Sequence, residues 1–401
     1  MSRGGRSDEV VSTGNRSLLR RMNSLGLLQE LLEGPRSMRE LVTVTGLSRT
    51  AVDAVLRDLV DMGWVQTTEG VAESRPGRPA ALYHLHTELG HVLSIDIGAN
   101  HIYAVLTDLS GVELGRATVT VEEQCPADER LRSAFATADS VLETAGVERE
   151  SVWIVAVGSP GAISSDGIVS HFGGSGMPGW VGLDLRSLVA DEFHCAALVE
   201  GDVALGAQAE LAYGAAQQRR DVVYVLCGVR TSGASIIGGR VHRGVHGAAG
   251  IVGELPELRW IDLNERYGVE MLGSPRPSRE QIFDLARSGD PVALEAVREF
   301  ADDLALGASA LVLALDPELL VIGGGSSPSA DVFLPRFETT LRRLCPIAPE
   351  VLVSSLGSEA VGRGGVSLAI SHVVSVLSSS VWDNEGFPEP ADARRLLREV
   401  S

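Results

Sequence analysis

The sequence predicts an α/β protein with an N-terminal winged helix-turn-helix and a body of two related lobes. Three observations indicate this: helical apolar spacing near the N-terminus, a pair of alternating strands after it, and a strand, turn, strand pattern that occurs twice in the remainder. We divide the chain into a head (1–88), a first lobe (89–200), a second lobe (201–380) and a tail (381–401). We expect the last helix of the second lobe to return to the first lobe, and the tail to be mobile or docked on a neighbour.

The head contains three segments whose apolar residues recur at helical spacing. Helices are predicted at residues 17–32, 38–45 and 48–62. Gly46 can form the tight bend between the second and third helices, and Ser48 is a suitable N-cap for the third. This succession is typical of a helix-turn-helix.

In a helix-turn-helix the N-terminal part of the third helix enters the major groove of DNA. The residues there are Ser48, Arg49, Thr50 and Asp53, which we predict to contact phosphates and base edges. The carboxylate of Asp53 must either accept a hydrogen bond from a cytosine amino group or stay clear of the phosphates. The alternative interpretation of this segment is a purely structural three-helix unit.

A β-wing is predicted after the third helix, because residues 64–68 and 81–85 alternate like two strands. The loop between them carries Arg75 and Arg78 on a stiff Pro/Gly segment. Two guanidinium groups presented in this way suit the narrow minor groove of A/T-rich DNA. The alternative is a solvated charged loop.

The body shows the same order of elements twice. In the first lobe, strands are predicted at 91–96, 102–107, 117–121 and 152–157, with a helix at 128–145. In the second lobe, strands are predicted at 221–228, 234–237, 240–242 and 319–322, with a helix at 300–315 and a triple glycine at 323–325. Two related lobes with a cleft between them are the simplest architecture for this pattern.

Composition excludes several classes of protein. Hydrophobic residues make up 44% of the chain, which excludes a wholly disordered protein. The cysteines lie far apart and form no C-x-x-C pair, so neither a disulfide framework nor a zinc ribbon is expected. The N-terminus has no apolar signal segment, and the apolar stretch at 304–315 is too short to span a membrane. We therefore expect a cytoplasmic protein without a membrane partner.

Charge is distributed unevenly along the chain. The formal net charge is -19, yet residues 1–88 hold 11 arginines and 11 acidic residues, so 23 arginines and 42 acidic residues remain for the body and tail. The head is thus neutral and the body strongly acidic. An acidic body repels DNA except where the head docks, which favours one orientation.

Seven segments of the body, in order, resemble the ROK family, whose repressors and sugar kinases share an actin-like, hexokinase-like fold. They lie at 94–111, 156–169, 177–180, 201–215, 238–255, 316–325 and 356–365, beginning with SIDIGANHIYAVLTDLSG and ending with LGSEAVGRGG. The head resembles that of the family's transcriptional repressors, such as the N-acetylglucosamine and xylose repressors, down to the GRP of the wing.

The resemblance implies a nucleotide side of the cleft that is altered here. Family kinases hold ATP phosphates and magnesium at a D-x-G-x-T turn, at which this chain has Asp96, Gly98 and Asn100. The second phosphate loop, G-T-G-x-G-x-G in the family, reads GVRTSGA at 228–234. Side chains therefore stand where backbone amides approach phosphate, and a vestigial nucleotide site is expected.

Two further segments bear on cofactors. Gly323 and Gly324 are expected to belong to the vestigial nucleotide loop, the alternative being a simple strand-to-helix turn. Segment 259–268 stands where the family has its cysteine-rich zinc loop, but it contains no cysteine. The sequence accordingly predicts no metal and no cofactor.

The sugar side implied by the resemblance is altered too. Asp202 stands at the position of the general base and Glu270 at that of a sugar ligand, whereas Gly201, Ile251 and Glu254 replace the family's other sugar-binding residues. We predict Asp202, Glu254 and Glu270 as effector-binding residues and expect no catalysis. The alternatives are an N-cap role for Asp202 and a cleft-surface acid for Glu254.

The resemblance implies a DNA-binding transcriptional regulator, expected to repress carbohydrate-related genes through an inactive sugar-kinase-like body. Its expected partners are double-stranded operator DNA, a second copy of itself as homodimer or tetramer, and a sugar or sugar-phosphate effector. One alternative is a bifunctional ATP-dependent sugar kinase with a DNA-binding head. Another is a regulator that senses no ligand and whose body serves only for dimerisation.

Overall fold

The computed structural model describes residues 6–69, 81–173, 176–228, 230–261, 263, 278–383 and 386–400. The predictions for Arg75, Arg78 and Glu270 therefore lie outside the described residues. The ranges that follow give the helices and strands of the head, the two lobes and the C-terminal segment in chain order.

The head is a three-helix unit with a small antiparallel sheet in the order β1-β3-β2. Its elements are α1 (Arg6–Leu32), β1 (Arg36–Ser37), α2 (Met38–Thr45), α3 (Arg49–Asp61), β2 (Val65–Glu69) and β3 (Ala81–Leu85). Gly46 ends α2 in the left-handed conformation at φ 67°, and Ser48 caps α3, as the sequence predicts. Helix α1 begins at Arg6 instead of residue 17, because the apolar stripe used for its prediction begins only at Leu18.

The first lobe is built on a sheet in the order β10-β7-β4-β5-β6. Its elements are β4 (His91–Ile97), β5 (His101–Asp108), β6 (Glu113–Thr120), α4 (Ala127–Ala145), β7 (Val152–Ser159), β8 (Ala162–Ile163), β9 (Val169–His171), α5 (Leu185–Phe193) and β10 (Ala196–Gly201). Strands β4 and β5 pair antiparallel, whereas β4, β7 and β10 run parallel. The central strands are buried on both faces, which explains their nearly continuous apolar sequence.

The second lobe repeats this topology with a sheet in the order β13-β12-β11-β14-β15. After the connecting helix α6 (Asp202–Tyr213) come β11 (Val222–Cys227), β12 (Thr231–Ile237), β13 (Arg240–His242), α7 (Arg279–Arg287), α8 (Pro291–Leu315), β14 (Leu319–Gly323), α9 (Ala330–Leu344) and β15 (Glu350–Val353). Again three strands form an antiparallel meander and two continue in parallel. The repeated sequence pattern therefore corresponds to a repeated fold.

Helix α10 (Ala360–Asp383) returns to the first lobe, where it packs against α6 and strands β4, β5 and β7. Gly364 permits the close crossing with α6, because a Cβ atom there would lie 1.8 Å from the backbone oxygen of Leu205. Within the described residues, segment Gly357–Trp382 has the length and apolar composition of a membrane span, and 56% of its tested window is buried. Core helices of soluble proteins have the same properties, so this is weak evidence for a membrane.

The prediction of a tail that is mobile or docked on a neighbour is wrong for the described residues beyond 380. Helix α10 continues to Asp383, and a further helix, α11 (Pro390–Val400), packs on β7, β10 and α10 of the same chain. Ala393 and Leu397 of α11 are each 1% exposed. The burial of this apolar face supplies the driving force for docking, which the short charged sequence did not suggest.

The head and the first lobe share one apolar cluster. Trp64 lies between α3 and β2 of the head. Its ring packs edge-to-face with Trp153 of β7, at 6.0 Å between ring centroids, and with Phe387, at 6.4 Å. Its indole Nε1–H donates to the backbone oxygen of Pro388 at 2.8 Å. Both the lobe and the C-terminal segment therefore hold the head in place.

Candidate DNA-binding surface and inter-lobe cleft

The N-terminal end of α3 is open to solvent, with Ser48, Arg49 and Thr50 all exposed. The hydroxyl of Ser48 accepts a hydrogen bond from the backbone N–H of Ala51 at 3.2 Å, so it is engaged as the helix cap. Arg49 and Thr50 present their side chains on the first turn, which is the part of a recognition helix that reaches base edges and phosphates. Contacts of these residues with DNA remain a prediction.

Two acidic residues of α3, Asp53 and Asp58, form ion pairs within the head. Asp53 accepts from Nη2 of Arg57 at 2.6 Å, one helical turn away. Asp58 accepts from Nε and Nη2 of Arg20 on α1 at 2.5 and 2.7 Å. The charge of Asp53 is thus balanced by a neighbour, Arg57, that the sequence analysis missed, although the i,i+4 spacing of the two residues was a readable signal.

On the nucleotide side of the cleft, a histidine occupies the first turn. Asp96 is 3% exposed, and its Oδ2 lies 3.1 Å from Nε2 of His101. Nδ1 of His101 lies 3.2 Å from Oδ1 of Asn100. The hydrogen bond to Asp96 raises the pKa of His101, partly opposed by burial. A Cβ on Gly98 would lie 2.6 Å from the same imidazole, so this glycine makes room for His101.

Local packing explains why glycine occupies the last position of β14, Gly323, and the position that follows it, Gly324. Gly324 has φ 87°, and a Cβ there would lie 2.9 Å from the backbone oxygen of Cys227. A Cβ on Gly323 would lie 2.5 Å from the hydroxyl of Tyr224. The strand-to-helix turn accounts for both residues. Gly324 also lines a cavity of about 610 Å³ together with Asp96, Gly98 and Asn100, so a vestigial nucleotide role stays a prediction.

A buried arginine that the sequence analysis missed holds the first turn. Arg130 of α4 is 0% exposed and donates through Nη1 to the backbone oxygens of Gly98 and Ala99 at 2.6 and 2.8 Å. Its Nη2 donates to the backbone oxygens of Glu122 and Glu123 at 2.8 and 3.1 Å. An arginine in the apolar stripe of an amphipathic helix was the available signal, since such a residue must find buried acceptors.

Asp202 lies where the two sides of the cleft meet, and it lines the cavities of both. It is the first residue of α6, and Gly201 is the N-cap, so the alternative N-cap interpretation of Asp202 is wrong. Its Oδ1 accepts from the backbone N–H of Val203 at 2.7 Å. Burial, followed by the nearby charge of Asp96, raises the pKa of Asp202 to about 7.

On the sugar side, acidic residues contact an arginine and a histidine across the cleft around a cavity of about 90 Å³. Oε2 of Glu254 lies 3.2 Å from Nε2 of His171 on β9. Oε2 of Glu200, at the end of β10, lies 2.6 Å from Nε of Arg243 after β13. Glu254 and Asp202 therefore line one cavity, as the effector prediction requires, but Glu254 already has a partner there. Among the described residues, no three His, Cys, Asp or Glu side chains are grouped to hold a metal ion.

Two lobes of repeated topology on either side of a cleft define an actin-like, hexokinase-like body, here preceded by a helix-turn-helix head. The chain belongs to the ROK family, whose family model matches residues 92–257 and 274–372. The xylose repressor of Caldicellulosiruptor bescii is 23% identical over 90% of this chain and 98% of its own length. A glucokinase of Streptomyces coelicolor is 25% identical over 70% of this chain and 98% of its own.

Solved structures agree with this fold. The crystal structure of a ROK family transcriptional regulator, described as a homologue of the Escherichia coli Mlc protein, matches 92% of this chain and 100% of its own, with a TM-score of 0.66 and 18% identity. At that identity the match shows the fold alone. Because the match covers 92% of this chain, it extends over both the head and the body.

Proposed function

We propose that this protein is a DNA-binding transcriptional repressor of carbohydrate-related genes, whose kinase-like body senses a sugar or sugar phosphate without catalysing its phosphorylation. The observation that carries the proposal is the joining of an exposed helix-turn-helix to a ROK body in one chain. The repressor of Caldicellulosiruptor bescii is similar over 90% of the chain, against 70% for the glucokinase, and this difference supports the same conclusion.

The proposed DNA surface is the first turn of α3, with Arg49 and Thr50 as reading residues and Ser48 as the cap that orients them. The head as a whole is neutral, and its internal ion pairs balance Asp53 and Asp58 of α3. The acidic body repels DNA, so binding depends on the correct docking of the head. A homodimer would place two such helices on an operator with dyad symmetry.

The proposal that the body is inactive rests on the two phosphate turns. His101 occupies the first turn beside Asp96, and the side chain of Arg230 occupies the second. The proposed effector site is the cavity lined by Asp202 and Glu254, with Glu270 as a further predicted contact. An effector that prefers one arrangement of the lobes would change the positions of the heads and hence the affinity for DNA.

The test is selective binding of the full-length protein to genomic fragments at two salt concentrations, with and without a pool of sugars and sugar phosphates. We expect a footprint with dyad symmetry that weakens strongly with salt and is released by the pool. The matched control is Arg298→Ala on the body surface, which should bind as the wild type does, whereas Arg49→Ala should not. Absence of selective binding at both salt concentrations would overturn the repressor proposal, and a footprint insensitive to the pool would favour a regulator that senses no ligand.

A bifunctional sugar kinase is the second candidate, and one observation favours it. Asp202 stands in the cleft with its pKa raised to about 7, a suitable value for a general base. A coupled phosphorylation assay over hexoses and amino sugars tests this candidate. Turnover that disappears in Asp202→Asn would establish the kinase, and absence of turnover with every sugar would exclude it for that panel.

A further inference from the structure

Arg230 crosses the cleft from one lobe to the other. It lies between β11 and β12 of the second lobe, in the loop that corresponds by sequence to the family's second phosphate loop. Its guanidinium donates through Nη1 to the backbone oxygen of Gly173 at 2.5 Å and through Nη2 to Oε1 of Glu123 at 3.1 Å. It also lies 4.4 Å from the ring centroid of Phe172. All three partners belong to the first lobe, so the Arg230 side chain bridges the two lobes across the cleft.

The first-lobe surface that receives Arg230 is itself fixed. The backbone oxygen of Glu123 accepts from Arg130 at 3.1 Å and from the backbone N–H of Met177 at 2.9 Å. Because Arg130 also holds the first phosphate turn through Gly98, the turn and the receiving surface share one buried anchor. A pre-positioned carboxylate loses less conformational entropy on pairing than a mobile one.

Two other polar contacts join the lobes around the same cavity, namely the ion pair of Glu200 with Arg243 and the contact of His171 with Glu254. Parting of the lobes would separate all three pairs together. Cooperative contacts of this kind favour one lobe arrangement more strongly than a single exposed pair does.

We propose that Arg230 is a lock that holds the lobes closed in the absence of nucleotide, with its guanidinium taking the bridging role that phosphates have in a kinase of this fold. Closure is then a property of the chain itself and does not require a bound nucleotide. The proposal extends beyond the repressor function and does not depend on it.

The test measures how often the cleft opens, through the labelling rate of a buried thiol. Ala234 is 2% exposed and lines the cavity beside Arg230, so Ala234→Cys in a Cys125→Ser background introduces a thiol that reacts when the lobes part. Native Cys345, 1% exposed in the second-lobe core, reports global unfolding in the same sample. Peptide mass spectrometry separates the two rates.

Arg230→Gln is expected to raise the labelling rate at position 234 by about two- to five-fold, the ratio expected for loss of one partly exposed ion pair, and to leave Cys345 unchanged. The matched control Arg219→Gln removes ion pairs to Glu318 and Glu350, all within the second lobe, and should change neither rate. The charge-swapped double variant Arg230→Glu with Glu123→Arg should show a lower labelling rate at position 234 than Arg230→Glu alone. Millimolar Mg-ATP should leave the labelling rate at position 234 unchanged in the reporter protein that retains Arg230.

Three outcomes would overturn the lock. One is an unchanged rate at position 234 in Arg230→Gln. Another is an equal increase at position 234 and Cys345, which would mean general destabilisation. The third is that Mg-ATP lowers the labelling rate of Cys at position 234, in the reporter protein that retains Arg230, by a factor as large as the one that Arg230 provides. That result would mean that nucleotide still closes the cleft. DNA binding is measured separately, so loss of the repressor function and loss of the lock are distinguishable.

Discussion

Replacement of Asp202 by asparagine should stabilise the protein at alkaline pH and not at acid pH. Burial and Asp96 raise the pKa of this carboxyl from 3.8 to about 7 in the folded state. An acid with a raised folded-state pKa ionises more readily in the unfolded chain, so its contribution to stability is complete below pH 3.8 and is lost as pH rises through 7. Asparagine does not ionise, and its Oδ1 can still accept from Val203.

The size of the effect follows from linkage. A shift of one pKa unit corresponds to about 1.4 kcal/mol, so the difference between 3.8 and about 7 sets an upper value of about 4 kcal/mol. Asp202 is partly accessible through the cleft, and solvent screening reduces the expected gain to about 2 kcal/mol at pH 8. The gain should vanish near pH 4.

Urea unfolding of wild type and Asp202→Asn at pH 4, 6 and 8 measures this gain. Asp166→Asn, at an exposed position of the first lobe, is the control for loss of a carboxylate and should follow the wild type at each pH. A gain of equal size at pH 4 and pH 8 would refute the assigned ionisation. A loss of stability at pH 8 would mean that the carboxylate is stabilised in the cleft.

Three further predictions concern the head, the C-terminal helix and the helix crossing. Arg49→Ala should weaken DNA binding and lower the salt slope by about one unit, measured by fluorescence anisotropy; an unchanged slope would remove Arg49 from the phosphate contacts. Leu397→Ala should lower the free energy of unfolding by about 2–4 kcal/mol in urea, since this side chain is 1% exposed, and a change below 0.5 kcal/mol would mean that α11 is not docked. Gly364→Ala should lower the melting temperature by several degrees because its Cβ would meet the backbone oxygen of Leu205, whereas Gly386→Ala, with no atom within 4 Å of its Cβ, should not.

The sequence predicted the elements whose signals are local. The capping of α3 by Ser48, the tight bend at Gly46 and the strands that were predicted in the two lobes depend on neighbours a few residues away, and the structure contains them. Strands β10 and β15 were not predicted. The repeated strand pattern sufficed for the two-lobed architecture because the central strands β4, β7 and β11 are buried along nearly their whole length, so their apolar runs are unmistakable.

Contacts between distant residues were beyond the sequence analysis. Arg230 was recognised as a side chain in a phosphate loop, but its partner Glu123 lies 107 residues away, and no spacing rule connects them. The docking of Leu397 likewise depends on a surface made by β7 and β10. Periodicity shows which face of a helix is apolar, but not which surface covers that face.

The apolar cluster shared by the head and the first lobe limits how this protein can be engineered. A chimera that exchanges residues 1–88 for another DNA-binding head would remove Trp64 and uncover the rings of Trp153 and Phe387, which pack against it. The Pro388 carbonyl would also lose its indole donor. A functional graft must therefore carry the complementary surface of β7 and the segment from Phe387 with the head, so the transplantable unit is discontinuous in sequence.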